Sequence, residues 1–217
     1  MIYVEKQTHM HNNHLFYTFN SVLTNRFCDH VIKYGTSLES IKGITGEEGE
    51  DRDIRLHHLS KKEEKTLSKT RDSHIVWMND KWIYKEIHPY VEEANKITGW
   101  NFQWDYSESM QFTKYSKGQF YDWHIDSLEE VIKNRDSNHN GKNRKLSVTC
   151  NLSNEDDYGG GELQFCHIKK GKIKINTLKA AKGSIIVFPS FVWHRVKPIT
   201  SGQRHSLVVW NLGYPFK

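Results

Sequence analysis

Cysteine is scarce and unpatterned: Cys28, Cys150 and Cys166 are the three in 217 residues, with no CxxC pair. An odd, scattered set supplies neither a disulfide framework nor a structural zinc site, and it fits a reducing compartment. Long apolar runs are missing too. No stretch is long enough to cross a bilayer, and the N-terminal MIYVEKQTHMHNNHLFY has no apolar core of signal length, so the expectation is a cytoplasmic protein. Charge is not one-sided: 31 Lys and Arg against 26 Asp and Glu leave a net +5, which an ordinary solvated surface accounts for. No stripe of alternating basic and aromatic residues marks a nucleic-acid site, and no internal repeat is visible.

What is present is aromatic and β-prone. Seven Trp, ten Tyr and ten Phe make up 12% of the chain, and half-buried strands use such flat side chains well. The length suits one well-buried core, so 1–217 is expected to be a single domain, with 1–99 as a supporting region and 100–217 as a β core. In the first part, 14–19 reads as a strand, Thr24 as the cap of a helix over 25–34, 73–78 as a strand, and 79–98 as a helix. That second helix has Trp82, Ile83, Ile87, Tyr90, Val91, Ala94 and Ile97 on its apolar side; Pro89 should kink or split it, and Gly99 should stop it. The charged stretch 39–70 reads as a mobile surface region, and its His57-His58 pair as exposed loop histidines.

From Trp100 the hydrophobic period changes from about 3.6 to about 2. Strands are expected over 101–106, 109–115, 119–124, 144–152, 161–166, 172–176, 184–188, 192–196 and 204–212. Helices first and many short strands afterwards point to a mostly β fold, a double-sheet barrel with the N-terminal helices against one sheet. Polar 127–143 reads as a loop over the mouth of any site beside it, and Gly159-Gly160-Gly161 as a bulge or tight turn.

The chemistry gathers at YSKGQFYDWHID, residues 115–126, which ends in His124-Ile125-Asp126. Two residues apart on a strand, imidazole and carboxylate project from one face. With His194 from a later strand they form a two-histidine, one-carboxylate set, the arrangement that non-haem Fe(II) oxygenases use. Ten positions after His194 come Arg204 and then Ser206, one strand face apart by period 2; a planar guanidinium and a hydroxyl suit a carboxylate. A turn over 198–203 is expected to fold the two strands into a hairpin and set Arg204 beside His194. Trp123 and Trp193, each preceding a ligand, should face away from the metal.

These motifs, with LSVTCNLSNEDDYGGGELQF and KGSIIVFPSFVWHRVKPITSGQRHSLVVW in order after them, resemble the Fe(II)/2-oxoglutarate dioxygenases of the prolyl 4-hydroxylase-like superfamily, including PKHD-type hydroxylases. The resemblance runs from about Phe112 to Tyr214. It implies a double-stranded β-helix (jelly-roll) barrel, with His124, Asp126 and His194 as catalytic iron ligands. It also implies Arg204 and Ser206 on the far carboxylate of 2-oxoglutarate, Tyr115 lining the cosubstrate pocket, and Asn151 where some relatives place a second tyrosine. Implied with them are Fe(II), 2-oxoglutarate and O2, ascorbate as an accompanying reductant, and hydroxylation of a protein side chain such as peptidyl proline with release of succinate and CO2. Asp126 argues for hydroxylation over halogenation. The competing readings are a hydroxylase of a free amino acid or small metabolite, a non-redox cupin-like metal-binding barrel, and a silent module binding RNA through its lysines.

Overall fold

The computed structural model describes residues 14–43, 69–127, 130–134 and 136–216. Residues 44–68, most of the expected mobile stretch and its His57-His58 pair, lie outside the described residues. Helix α1 spans Asn25–Ser37, with the Thr24 side chain accepting a hydrogen bond from the Phe27 main-chain N–H at 3.1 Å, as its cap position requires. Before it runs β1 (Tyr17–Phe19), and after it β2 (Ile41–Lys42), β3 (Arg71–Asp72) and β4 (His74–Met78). Thus 39–70 is not wholly loop: Ile41 pairs with Ile75 and extends a sheet.

Helix α2 (Lys81–Ile97) corrects the expected split. It runs through Pro89 as one element, burying Ile83, Ile87, Val91 and Ala94, and stops at Gly99, whose φ is +73°. Pro89 is exposed, so the carbonyl it leaves without an intrahelical donor can bond to water while the buried stripe holds both halves down. Trp82 and Ile97 lie off that stripe at 36% and 42% exposure. Pro89→Ala should therefore raise stability by about 2 kcal/mol in urea unfolding, the helix-interior cost of proline less its effect on the unfolded chain.

The remaining strands are β5 (Tyr106–Ser107), β6 (Met110–Ser116), β7 (Phe120–His124), β8 (Asn143–Asn151), β9 (Tyr158–Gly160), β10 (Leu163–Lys169), β11 (Lys172–Leu178), β12 (Ile185–Pro189), β13 (Trp193–Val196) and β14 (Ile199–Gly213). The strand expected over 101–106 shrinks to its end, because the Asn95 side chain takes both the N–H and the carbonyl of Phe102 and pins that stretch to α2.

All recorded pairings are antiparallel, and they build two sheets. The larger follows the order β1-β12-β8-β14-β6-β4-β2, with β5 and β9 also on β14; the smaller follows β11-β10-β13-β7-β3. Alternation along β14 and β8 divides the apolar residues. Leu207, Val209 and Val148 face α1 and α2 in one core, while Tyr115, Phe165, Ile186, Phe188 and Val196 form a second core between the sheets. The result is the jelly-roll barrel with helices on its larger sheet.

One topological expectation is overturned. Residues 199–202 do not turn β13 back on itself; they begin β14 and pair with β9, so β13 and β14 belong to different sheets. Gly160 and Gly161, at φ +71° and +66°, allow this close approach: a Cβ on Gly160 would meet the Pro198 carbonyl oxygen at 2.3 Å.

Candidate metal centre

His124 ends β7 and His194 sits in β13, directly opposite it in the smaller sheet. Asp126 arrives differently from the expectation that a strand pleat would present it. β7 has already ended, and Asp126 lies in the following bend, where its N–H and that of Ser127 both donate to the Ser190 carbonyl at 2.8 and 2.9 Å. Ser190 is anchored in turn by the Lys145 carbonyl at 3.0 Å and by Ser147 Oγ at 2.9 Å. The bend is thus fixed to β8 and β12 rather than left as a free loop.

One ligand atom from each of the three side chains falls within 4.8 Å of the other two. The Asp126 carboxylate stands 3.7 Å from His124 Nε2 and 3.5 Å from His194 Nε2. Each imidazole donates Nδ1–H to a main-chain carbonyl, His124 to Asp122 at 2.7 Å and His194 to Val192 at 2.9 Å. A carbonyl only accepts, so these bonds place the proton on Nδ1 and leave Nε2 with its lone pair turned to the cluster. Burial, with His194 alongside, pushes the His124 imidazole down to about 3, which keeps it a neutral donor. Burial opposes the Asp126 carboxylate, but the two imidazoles and Arg144 outweigh it and hold the carboxyl below its ordinary range. Two bare nitrogens and a carboxylate without a proton are a donor set for a divalent metal.

Arg204 lies on β14 opposite Tyr115 of the adjacent strand β6 in the larger sheet, with its guanidinium 5.7 Å from the Tyr115 ring. It is buried and donates to Ser206 Oγ at 3.2 Å, yet its Nε has no partner among the described residues. A buried cation that no carboxylate of the described residues pairs is costly, which favours an anion beside it. Gly161 makes room for it: a Cβ there would come 3.2 Å from Arg204 Cδ and 2.4 Å from Ile199 Cδ1, at a φ of +66°. Gly161→Ala should weaken anion binding by about tenfold without touching a metal donor, a shift readable by titration calorimetry.

Asn151 sits opposite Ser206, but its amide is already committed. Nδ2 donates to the carbonyls of Ser153 at 2.9 Å and Ala180 at 2.6 Å, and two acceptors fix which end is nitrogen. The atom left over is Oδ1, an acceptor, which is the wrong polarity for a carboxylate.

Residues that spacing did not reveal also touch the site. Tyr121 stacks on His124 with centroids 3.4 Å apart, and the Arg71 guanidinium lies 4.5 Å from the centroid of the Tyr121 ring. Three positions before His124, Tyr121 should face the opposite side of a regular strand. A bulge in the β7 pairing, between the partners of His194 and Val196, brings it round. Arg144 donates to the Asp126 carbonyl at 3.4 Å and pairs with Glu108 at 2.6 Å. Trp123 points away, as expected, with Arg195 stacked 4.6 Å over its ring.

Residues 110–211 match the family described as the 2OG-Fe(II) oxygenase superfamily. This stretch belongs to that superfamily. The 2OG-Fe(II) oxygenase stretch is 34% identical over 106 residues to a PKHD-type hydroxylase of Synechococcus sp. (strain CC9605), covering 49% of this chain and 42% of the relative. It is 33% identical over 100 residues to one of Teredinibacter turnerae, covering 46% and 41%. The chain thus spans about two fifths of the length of the curated relatives it matches. Among solved structures, the viral collagen prolyl hydroxylase of Paramecium Bursaria Chlorella virus-1 superposes with a TM-score of 0.61 at 17% identity, over 92% of this chain and 97% of that one. A Pseudomonas putida prolyl-4-hydroxylase gives 0.54 at 18% identity, over 91% and 92%. These two extend the likeness in fold to the N-terminal strands and helices of this chain. The superfamily carries Fe(II) and 2-oxoglutarate in its name, and the bare Nε2 atoms, the carboxylate and the Arg204 guanidinium, whose Nε has no partner among the described residues, fit both. No helix among the described residues is long and apolar enough to cross a membrane.

Proposed function

We propose that this chain is an Fe(II)- and 2-oxoglutarate-dependent dioxygenase that hydroxylates a C–H bond of a protein side chain, with peptidyl proline as the first candidate. The observation that carries this is the convergence of His124 Nε2, His194 Nε2 and the Asp126 carboxylate within 4.8 Å, with both Nδ1 atoms already tied to the main chain. His124, Asp126 and His194 would hold the iron. Arg204 and Ser206 would hold the far carboxylate of 2-oxoglutarate, with the Tyr115 ring as the wall beside them. When bound, iron and cosubstrate supply the oxidising chemistry: O2 and 2-oxoglutarate become succinate, CO2 and one hydroxyl on the substrate carbon.

The chain's own part is to orient and to dry the site. Phe188 lies 4.6 Å edge-on to the His194 ring and Phe165 packs behind at 6.2 Å, so water cannot reach that side of the ligand. Burial pushes the Tyr121 phenol up to about 12, which leaves it neutral against His124. A peptide substrate gains support from the fold shared with prolyl hydroxylases, one of which, from Trichoplax adhaerens, was solved with a hypoxia inducible factor peptide fragment.

The test is succinate release from 2-oxoglutarate, with and without ascorbate, on prolyl peptides and on free proline, with mass spectrometry for a gain of one oxygen. Coupled turnover on peptides is expected. Turnover on free proline alone would move the substrate to free amino acids, and no 2-oxoglutarate consumption with any substrate would leave a metal-binding barrel.

A further inference from the structure

The strand farthest from the helices carries a pattern that the metal site does not use. β11 is the outermost strand of the smaller sheet, and among the described residues it pairs only with β10. One edge of its main chain therefore lacks a partner strand. Its sequence alternates Lys172, Ile173, Lys174, Ile175, so the two rows differ in chemistry. On the outward face, Ile173 stands opposite Ile168, and Ile175 opposite Cys166, which stands opposite Trp193. These side chains are open: Ile168 is 76% exposed, Ile173 71%, Trp193 51% and Ile175 50%. On the other face, Lys172 stands opposite Lys169 and Lys174 opposite His167. No Asp or Glu follows Glu162 in the sequence, while eight Lys and two Arg do.

We propose that β11 is a docking edge for an extended, alternating apolar and acidic segment of the polypeptide substrate, which adds to the sheet as a further strand. The proposal rests on the peptide-hydroxylase reading above. A strand laid against β11 continues both rows, so β-branched side chains fall beside Ile173 and Ile175 and carboxylates beside Lys172 and Lys174. A second copy of this chain does not fit. Antiparallel pairing of β11 with itself sets lysine beside lysine in one register and lysine beside isoleucine in the other. Lysines alone would explain an edge that repels copies of itself, but not three exposed isoleucines in a row on the opposite face.

The edge is within reach of the metal site. Asn176, Phe165, His194 and His124 occupy one row across four strands. A strand added outside β11 lies three strand spacings from β13, roughly 14 Å. At ~3.3 Å per residue, a chain leaving that strand needs about five residues to bring a side chain to the metal.

The test uses the full chain and a fluorescein-labelled Val-Glu octapeptide, with a Val-Lys octapeptide and a single-stranded oligonucleotide as controls. Fluorescence anisotropy gives affinity, and NMR-resolved hydrogen exchange follows the amides of residues 172–178. Saturable, salt-sensitive binding of the Val-Glu peptide is expected, with slowed exchange along β11. Lys172→Glu/Lys174→Glu should weaken it at least about tenfold and admit the Val-Lys peptide. Ile173→Thr/Ile175→Thr, which keeps the strand, should weaken it while salt sensitivity persists. No binding at low salt, binding that leaves β11 exchange unchanged, or tighter binding of the oligonucleotide would each overturn the proposal. Quenching of tryptophan fluorescence by 2-oxoglutarate is measured on the same samples and should be unchanged in both variants. Its loss in wild type would sink the oxygenase reading by a separate signal.

Discussion

His194→Ala should abolish the visible absorption band expected when wild-type protein, Fe(II) and 2-oxoglutarate are combined without oxygen. The band reports an iron chelated by the cosubstrate, so it requires the metal to be held with sites left open. Removing one of three protein donors takes away a nitrogen whose orientation the Val192 carbonyl has already fixed. Loss of outer hydrogen bonds alone typically costs 10–100-fold in metal affinity, so loss of the ligand itself should cost at least about a hundredfold. Circular dichroism should stay that of wild type, because the β13 main chain, paired on both sides by β10 and β7, does not depend on the imidazole. A band retained at wild-type strength in the variant would remove His194 from the ligand set and with it the proposed centre.

Arg204→Met should give an equally large effect in a different measurement. With the guanidinium gone, 2-oxoglutarate loses a charge-assisted partner in a dry pocket, worth roughly 2–5 kcal/mol, or a ~30-fold to ~5,000-fold weaker dissociation constant. Metal affinity in the absence of 2-oxoglutarate should be unchanged, since Arg204 pairs across the larger sheet with Tyr115 and not with any donor of the metal cluster. The ligand-free protein should gain stability, because a buried cation with an unpartnered Nε is replaced by an apolar side chain of similar length. Titration calorimetry and urea unfolding, each with and without 2-oxoglutarate, read both halves. Equal 2-oxoglutarate affinity in variant and wild type would assign the anion site elsewhere.

Much of this was legible without coordinates where a local rule suffices. Thr24 as cap and Gly99 as stop are matters of one turn of chain, and period-2 alternation located nearly every strand of the β core within a few residues. Pro89 misled because the sequence does not say which side of a helix meets water. On the exposed side the lost hydrogen bond is tolerated, and the buried residues decide.

The site divides in the same way. His124, Asp126, His194, Arg204 and Ser206 were named from residue type and spacing, and the structure brings the first three into one cluster and the last two into one buried pair. The means of assembly were not legible. Asp126 is placed by the Ser190 carbonyl from the turn after β12, and Arg204 by pairing with β6 rather than by a hairpin with His194. Tyr121 reaches His124 only through a bulge.

By itself, then, the sequence determined which side chains could act and the alternation that makes a sheeted barrel, because chemistry and period belong to each residue and its near neighbours. Only the tertiary structure decided which donors remain bare, that Asn151 spends its amide on two carbonyls, and that the buried Arg204 Nε has no partner among the described residues. Hydrogen-bond partners and burial come from strands far apart in the chain, and no local pattern encodes which of them will meet.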